Sequence, residues 1–238
     1  MTMIKVTIDK QQNQITVWNN GKGLPIQMHS KEKVYVPELV FGHMLTSSNY
    51  DDSIKKVTGG RNGFGAKLTN IFSKEFKIKT GDSKEKKQYA QVFKNNLSQI
   101  CEPKISAFSS DEYDFTEVSF QPDLKRFKMS CIDDDTISLL SKRVYDLAGI
   151  TTSSVKVYLN GKKINIANFQ AYCDLYLEDG AFKVFESQDR WQVCISESKG
   201  YQFEQVSFVN SICTLRGGTH VEKIANQISD KIIAEIKK

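Results

Sequence analysis

The stretch VTGGRNGFGAKLTNIF, residues 57–72, sets four glycines, an arginine, an asparagine and a lysine directly ahead of an amphipathic run. Glycine loses more backbone freedom on ordering than any other residue, so a folded turn this rich in it needs a reason. Leu68, Ile71 and Phe72 fall on one helical face, which predicts a helix opening at about Gly65. Glycines let a backbone turn its N–H groups inward and approach an anion closely, and a helix start adds a positive dipole end. Arg61 and Lys67 supply charge and Asn62 supplies amide donors. Each charge-assisted bond to a phosphate would contribute roughly 1.5–3 kcal/mol. Two familiar phosphate patterns fail here. GxxxxGK[ST] begun at Gly60 reaches Gly65 and then meets Ala66, and GxGxxG begun at Gly63 meets Leu68 where its third glycine belongs. The plainer alternative is a turn whose glycines serve tight packing.

Working outward, IKVTID and QITVWNN alternate apolar and polar residues around a polar turn and predict a β-hairpin. NNGKGLP reads as a loop. VPELVFGHML has helical spacing, with Pro37 suited to a first turn. FKIKT, KQYAQVFKN and FTEVSFQP predict strands. TISLLSKRVYDLAGI predicts a helix with Ile137, Leu140, Val144 and Leu147 on one side. VKVYLNGKKINI predicts a hairpin turning at Asn160-Gly161. A helix near FQAYCDLYL, strands at FKVFES, RWQVCIS and QVSFVNSI, and a final helix from THVEKIANQI complete the order. This is a mixed α/β (α+β) chain without the strand–helix alternation of a doubly wound parallel sheet. A mostly antiparallel sheet with helices on one face is expected, with an organisational boundary near Lys163.

Apolar residues form 39% of the 238 and charged residues 26%, which is enough apolar material for a buried core and too much for disorder. No run approaches the roughly 18–20 apolar residues of a membrane span, and MTMIKVTIDK lacks a secretory core, which predicts an intracellular soluble chain. The five cysteines, with no CxxC pair, predict free thiols rather than a zinc site or disulfide frame. The net charge of +5 is compatible with an anionic partner and decides little alone.

WNNGKGLP, upstream of the glycine stretch, resembles the adenine-binding Asp-x-Gly-x-Gly motif of the ATPase superfamily shared by DNA gyrase, heat-shock chaperones, histidine kinases and mismatch-repair proteins. Asn19, Gly21 and Gly23 occupy that pattern, with asparagine for aspartate. A longer set, EKVYVPELVFGHMLTSSNYDD, KKVTGGRNGFGAKLTNIFS, FQPDLKRFKM, YDLAG, VYLNGKKI, FVNSI and GGTHVEKIANQI, resembles the ATPase region of eukaryotic type II DNA topoisomerases along essentially the whole chain. TSSNYDD and GGTHV lie outside the shared nucleotide motifs and distinguish this family from its superfamily relatives.

The resemblance implies a Bergerat-type ATP-binding domain over residues 1–163, lacking its first strand and helix, and the start of a transducer domain of ribosomal-protein-like β-α fold over 164–238. It implies ATP as ligand, with Asn19 at the adenine, Ser47, Ser48 and Asn49 at the ribose and phosphates, and a phosphate lid of Gly60, Arg61, Asn62, Gly63, Phe64, Gly65, Ala66 and Lys67. Trp18 and Phe64 are expected in packing rather than base stacking. The family's glutamate base, its magnesium-holding asparagine, its switch-loop lysine and its DNA-cleaving tyrosine match nothing in the chain. An internal fragment is therefore expected, with Mg2+ held from outside it, no catalytic residue of its own and no appreciable ATP turnover. DNA as partner, a homodimer in the full-length enzyme, a monomeric isolated chain, no membrane association and a nuclear location are further implications. A non-catalytic nucleotide- or partner-binding module of the same descent is the alternative.

Overall fold

The structure, a computed structural model, describes residues 1–44, 46–47, 53, 59–60, 62–109, 114–198, 200 and 202–238. The described residues fall into two compact units, the larger drawn from Met1–Ile54 and Gly60–Cys173, the smaller from Lys55–Gly59 and Asp174–Lys238.

In the larger unit the expected hairpin is β1 (Met3–Asp9) and β2 (Gln14–Asn19), with Ile4, Val6 and Ile8 buried and Lys5 and Thr7 exposed. Its turn is closed by the Gln12 N–H donating to Asp9 Oδ1 at 2.9 Å. Strands β3 (Ser73–Asp82), β4 (Lys87–Lys94), β5 (Gln99–Ile100), β6 (Lys104–Ala107) and β7 (Phe115–Pro122) follow. Then come β8 (Lys156–Leu159) and β9 (Lys162–Lys163), joined through Asn160 and Gly161 at φ +47° and +78°, the paired left-handed values of a tight hairpin turn. The sheet runs β5-β4-β3-β7-β2-β1-β8-β9, with β6 also on β4. Among the described residues only β1 with β8 is parallel. β9, which holds the expected boundary at Lys163, is thus a strand of this sheet.

Helices α1 (Val36–Gly42), α2 (Gly65–Ile71), α3 (Asp134–Ile150) and α4 (Phe169–Cys173) complete the unit. Register places Val6, Val17, Val118 and Ile78 side by side, so these strands share one inward face. Val144 and Ala148 of α3 pack there on Ile4, Val6, Ile8 and Val157, while Phe41 of α1 packs on Phe76, Ile78, Tyr89 and Phe93. Asp133 caps α3 by accepting from the Thr136 N–H at 2.8 Å, which satisfies one of the orphan donors of a helix start. Tyr172 ties α4 to α3 by donating its hydroxyl to buried Asp146 at 2.7 Å, and Lys142 neutralises that carboxylate from 3.0 Å.

The smaller unit holds the hairpin β10 (Lys183–Gln188) and β11 (Trp191–Ser196), a two-residue hairpin β12 (Phe208–Val209) and β13 (Ile212–Cys213), and α5 (Thr219–Ile236). The sequence predicts one strand through QVSFVNSI. Instead Asn210 and Ser211 adopt φ +49° and +66°, and the chain reverses there. His220 Nε2 lies 3.1 Å from both Ser207 Oγ and Thr214 Oγ1, fixing the start of α5 on that hairpin. All five cysteines are free thiols.

Candidate functional site

Asn19 ends β2 on the inward face, in register with Thr116 of β7, which is in register with Thr80 of β3. Three polar side chains thus lie abreast where each strand's alternation has otherwise placed apolar residues. Thr80 is buried and its hydroxyl is fully engaged, donating to the Phe115 carbonyl at 2.8 Å and accepting from the Leu24 N–H at 3.0 Å. Asn19 Oδ1 accepts from the Gly21 N–H at 2.9 Å, and its Nδ2 donates to the Thr116 carbonyl at 3.4 Å. A primary amide has two donors and two lone pairs. One of each is used internally, which leaves a donor and an acceptor, the complement of an adenine-like amine and ring nitrogen. Sequence reasoning missed Thr80 and Thr116; their signal was a polar residue at an inward position of an alternating strand.

The turn after Asn19 is clamped. A Cβ on Gly23 would stand 2.1 Å from the Gly81 carbonyl oxygen, so the loop backbone rests directly on β3. Asp114 accepts from the Ser83 N–H at 2.7 Å. The Ser83 hydroxyl and N–H, then the Gly23 N–H and the Lys22 charge, hold this carboxyl below the usual carboxylate range.

The glycine stretch forms a second group with Thr46 and Ser47. Gly63 takes φ +66°, and a Cβ there would meet the Thr46 carbonyl oxygen at 2.4 Å and Ser47 Cβ at 3.2 Å. Only glycine fits both the conformation and the approach. Lys67 donates its ammonium to the same Thr46 carbonyl at 2.9 Å. The Thr46 hydroxyl in turn reaches the Leu39 and His43 carbonyls at 3.0 and 3.1 Å, and Asn70 Nδ2 reaches the Phe41 carbonyl at 3.1 Å. The end of α1 therefore anchors the glycine stretch by satisfying its own terminal carbonyls. Ser47 thus lies beside Gly63 of the glycine stretch. Ser48, Asn49 and Arg61 lie outside the described residues.

Two expectations change. The helix does open at Gly65, yet its buried residues are Lys67 (2% exposed) and Asn70 (1%), while Leu68 of the expected apolar face is 43% exposed. The Thr46 and Phe41 carbonyls accept from the buried Lys67 ammonium and Asn70 amide nitrogen. Lys67 is thus a braced cation rather than one displayed to solvent, and burial draws its ammonium below the ordinary lysine pKa. Trp18 is not in the core. It stacks on Phe115 at 6.4 Å with the Lys5 ammonium 4.6 Å over its ring. Phe64 is exposed.

Gly60 and Gly65 have no heavy atom within 4 Å of a built Cβ. Their smallness is unexplained by packing, which is what a surface kept clear for a close ligand requires. Gly65→Ala is therefore expected to raise stability by up to about 1 kcal/mol through helix propensity while weakening nucleotide binding. Thermal melts and titrations on one preparation check the split, and a variant that binds as well as the parent would assign Gly65 no part in contact. Among the described residues no three His, Cys, Asp or Glu side chains cluster as a metal site, so no role for magnesium is built from them.

A family model described as DNA gyrase B matches residues 152–238. The whole chain is 52% identical to DNA topoisomerase 2 of Arabidopsis thaliana and 48% identical to DNA topoisomerase 2-alpha of Homo sapiens, covering 17% and 16% of them. The crystal structure of the ATPase region of Saccharomyces cerevisiae topoisomerase II is similar at TM-score 0.95 and 47% identity, over 100% of this chain and 62% of that one. Along its whole length the chain is similar to type II DNA topoisomerases. It spans less than a fifth of the length of the curated relatives it matches. A second type II topoisomerase structure, the ATPase and transducer domains from Balamuthia mandrillaris, matches at TM-score 0.95 and 45% identity, covering 99% of this chain and 60% of that one. Both groups of candidate residues lie in the larger unit, upstream of the residues that the gyrase B model matches.

Proposed function

We propose that this chain is the nucleotide-binding part of an ATP-dependent type II DNA topoisomerase, a nuclear enzyme that passes one duplex through a transient break in another. Residues 1–163 would bind ATP and residues 164–238 would begin the transducer. The observation that carries the reading is the match along the entire chain to the ATPase region of Saccharomyces cerevisiae topoisomerase II. From within, Asn19 beside the Thr80–Thr116 pair supports a place for the base, and Gly60, Gly63, Gly65 and Lys67 with Ser47 support one for the phosphates; the roles of Ser48, Asn49 and Arg61 rest on the resemblance alone. In the homodimeric enzyme, ATP favours whichever state lets the lid touch the phosphates, and that differential contact is the only means by which it could close a gate around DNA. Proton abstraction and strand cleavage are assigned to no residue of this chain. Among the described residues no helix is long and apolar enough to cross a membrane.

Calorimetric titration of the 238-residue chain with a non-hydrolysable ATP analogue tests this. Binding is expected, and Asn19→Ala should weaken it about tenfold, the worth of a lost pair of neutral hydrogen bonds. Absence of binding, or equal affinity in the variant, would overturn the nucleotide site.

A further inference from the structure

The face of the larger unit's sheet opposite its helices carries an ordered row. Cα register runs without a break across eight strands: Lys163 of β9, Tyr158 of β8, Lys5 of β1, Trp18 of β2, Glu117 of β7, Lys79 of β3, Ala90 of β4 and Lys104 of β6. Opposed residues point to one side of a sheet, and this side is the outward one, since Ile4, Val17, Val118 and Ile78 next along each strand face the core. All four lysines are exposed, against one acidic residue in the row. Trp18 and Phe115 lie beneath Lys5 and Lys79, whose ammonium groups sit 4.6 and 5.6 Å from the ring centroids. The rings hold these two charges on this face of the sheet.

We propose that this row is a binding stripe for the phosphate backbone of duplex DNA. With strands about 4.8 Å apart it is roughly 34 Å long. A duplex presents one charge per about 1.7 Å of axis, so a segment lying along the stripe offers every lysine a phosphate. The sheet's twist, about 20° per strand, turns the row progressively: Lys5 and Lys79 meet the duplex face-on, and Lys163 and Lys104 meet it from its flanks. A straight line of spaced cations with flat aromatic rings between them suits a stiff, evenly charged rod. A flexible acidic polypeptide has no fixed charge spacing to match the row. The stripe stands on the sheet's charge and not on nucleotide binding, so it survives or fails independently of the ATP-analogue titration.

The test is fluorescence anisotropy of a labelled 30-base-pair duplex against the full chain at several salt concentrations. Four phosphate contacts predict an affinity falling roughly 150-fold between 50 and 200 mM salt, and one contact predicts a fall of only about 3- to 4-fold. The triple variant Lys5→Gln, Lys79→Gln, Lys104→Gln is expected to move from the first behaviour to the second. A control triple in and just beyond α5, Lys223→Gln, Lys231→Gln, Lys237→Gln, removes the same charge and is expected to keep the parent's slope. Equal losses in both triples would reduce the effect to net charge and overturn the stripe. So would labelled polyglutamate binding as tightly as the duplex, or no duplex binding at all.

Discussion

Gly23→Ala is expected to cost the larger unit about 3 kcal/mol, the upper end of ordinary overpacking, and to lower its melting temperature by roughly 6–12 °C. The added carbon would stand 2.1 Å from the Gly81 oxygen and 3.0 Å from the Gly81 carbonyl carbon. Both are backbone, so no side chain can swing aside. Neither partner is free to retreat. Gly81 is hydrogen-bonded in β3 between β4 and β7, and its own α-carbon lies against the Phe108 and Phe115 rings. Gly21 makes an instructive contrast, because a Cβ there would press on Asn19 Oδ1 at 2.8 Å, the end of a side chain that can rotate. Gly21→Ala should leave the melt nearly unchanged while turning the Asn19 amide out of position. Differential scanning calorimetry distinguishes the two. Equal melts for parent and Gly23→Ala would mean that the turn does not rest on β3 in solution.

Lys67→Met is expected to weaken nucleotide binding by about 10- to 150-fold, the worth of one charge-assisted hydrogen bond, with stability kept within about 1 kcal/mol. Methionine retains the apolar stem and removes the cost of holding an ammonium away from water, which offsets the lost bond to Thr46. The proton balance gives a second readout. Burial lowers the folded-state pKa of Lys67, so between that value and the unfolded 10.5 the unfolded chain binds more protons. The parent should therefore gain stability over the methionine variant as pH rises through that window. A phosphate beside the ammonium would raise its pKa and remove the gain, so the effect should shrink when the ATP analogue is present. If Lys67 were only a brace, the variant would melt early and bind nucleotide normally, and the proposed phosphate contact would be withdrawn.

The sequence declared those parts of the fold in which local chemistry and burial agree. The β1–β2 hairpin, the Asn160-Gly161 turn, α3 and α5 combine clear periodicity with turn or cap residues that admit one conformation. Elements set by long-range compensation were less legible. Lys67 and Asn70 read as the polar side of α2 because nothing local announces that the Thr46 and Phe41 carbonyls wait for them. Asn210 and Ser211 gave no glycine signal for the β12–β13 reversal. At the site, the motif identified Asn19, Gly21, Gly23 and the glycine stretch, while Thr80 and Thr116 became visible only once register set them beside Asn19. Trp18 was expected in packing, and strand parity sets that packing on the outward face of the sheet, against Phe115.

The parallel pairing of β1 with β8 has a consequence for how the chain folds. Lys156 N–H donates to the Thr2 carbonyl at 2.8 Å, and the Ile8 N–H donates to Asn160 Oδ1 at 2.8 Å, contacts between residues separated by most of the larger unit's sequence. The β1–β2 ribbon can form within microseconds, whereas its other edge must wait until α3 and β8 arrive. Such distant pairings slow the search, so the first strand made is among the last to be sealed. Until then its open edge, Met3 to Val6, is available to pair with another copy.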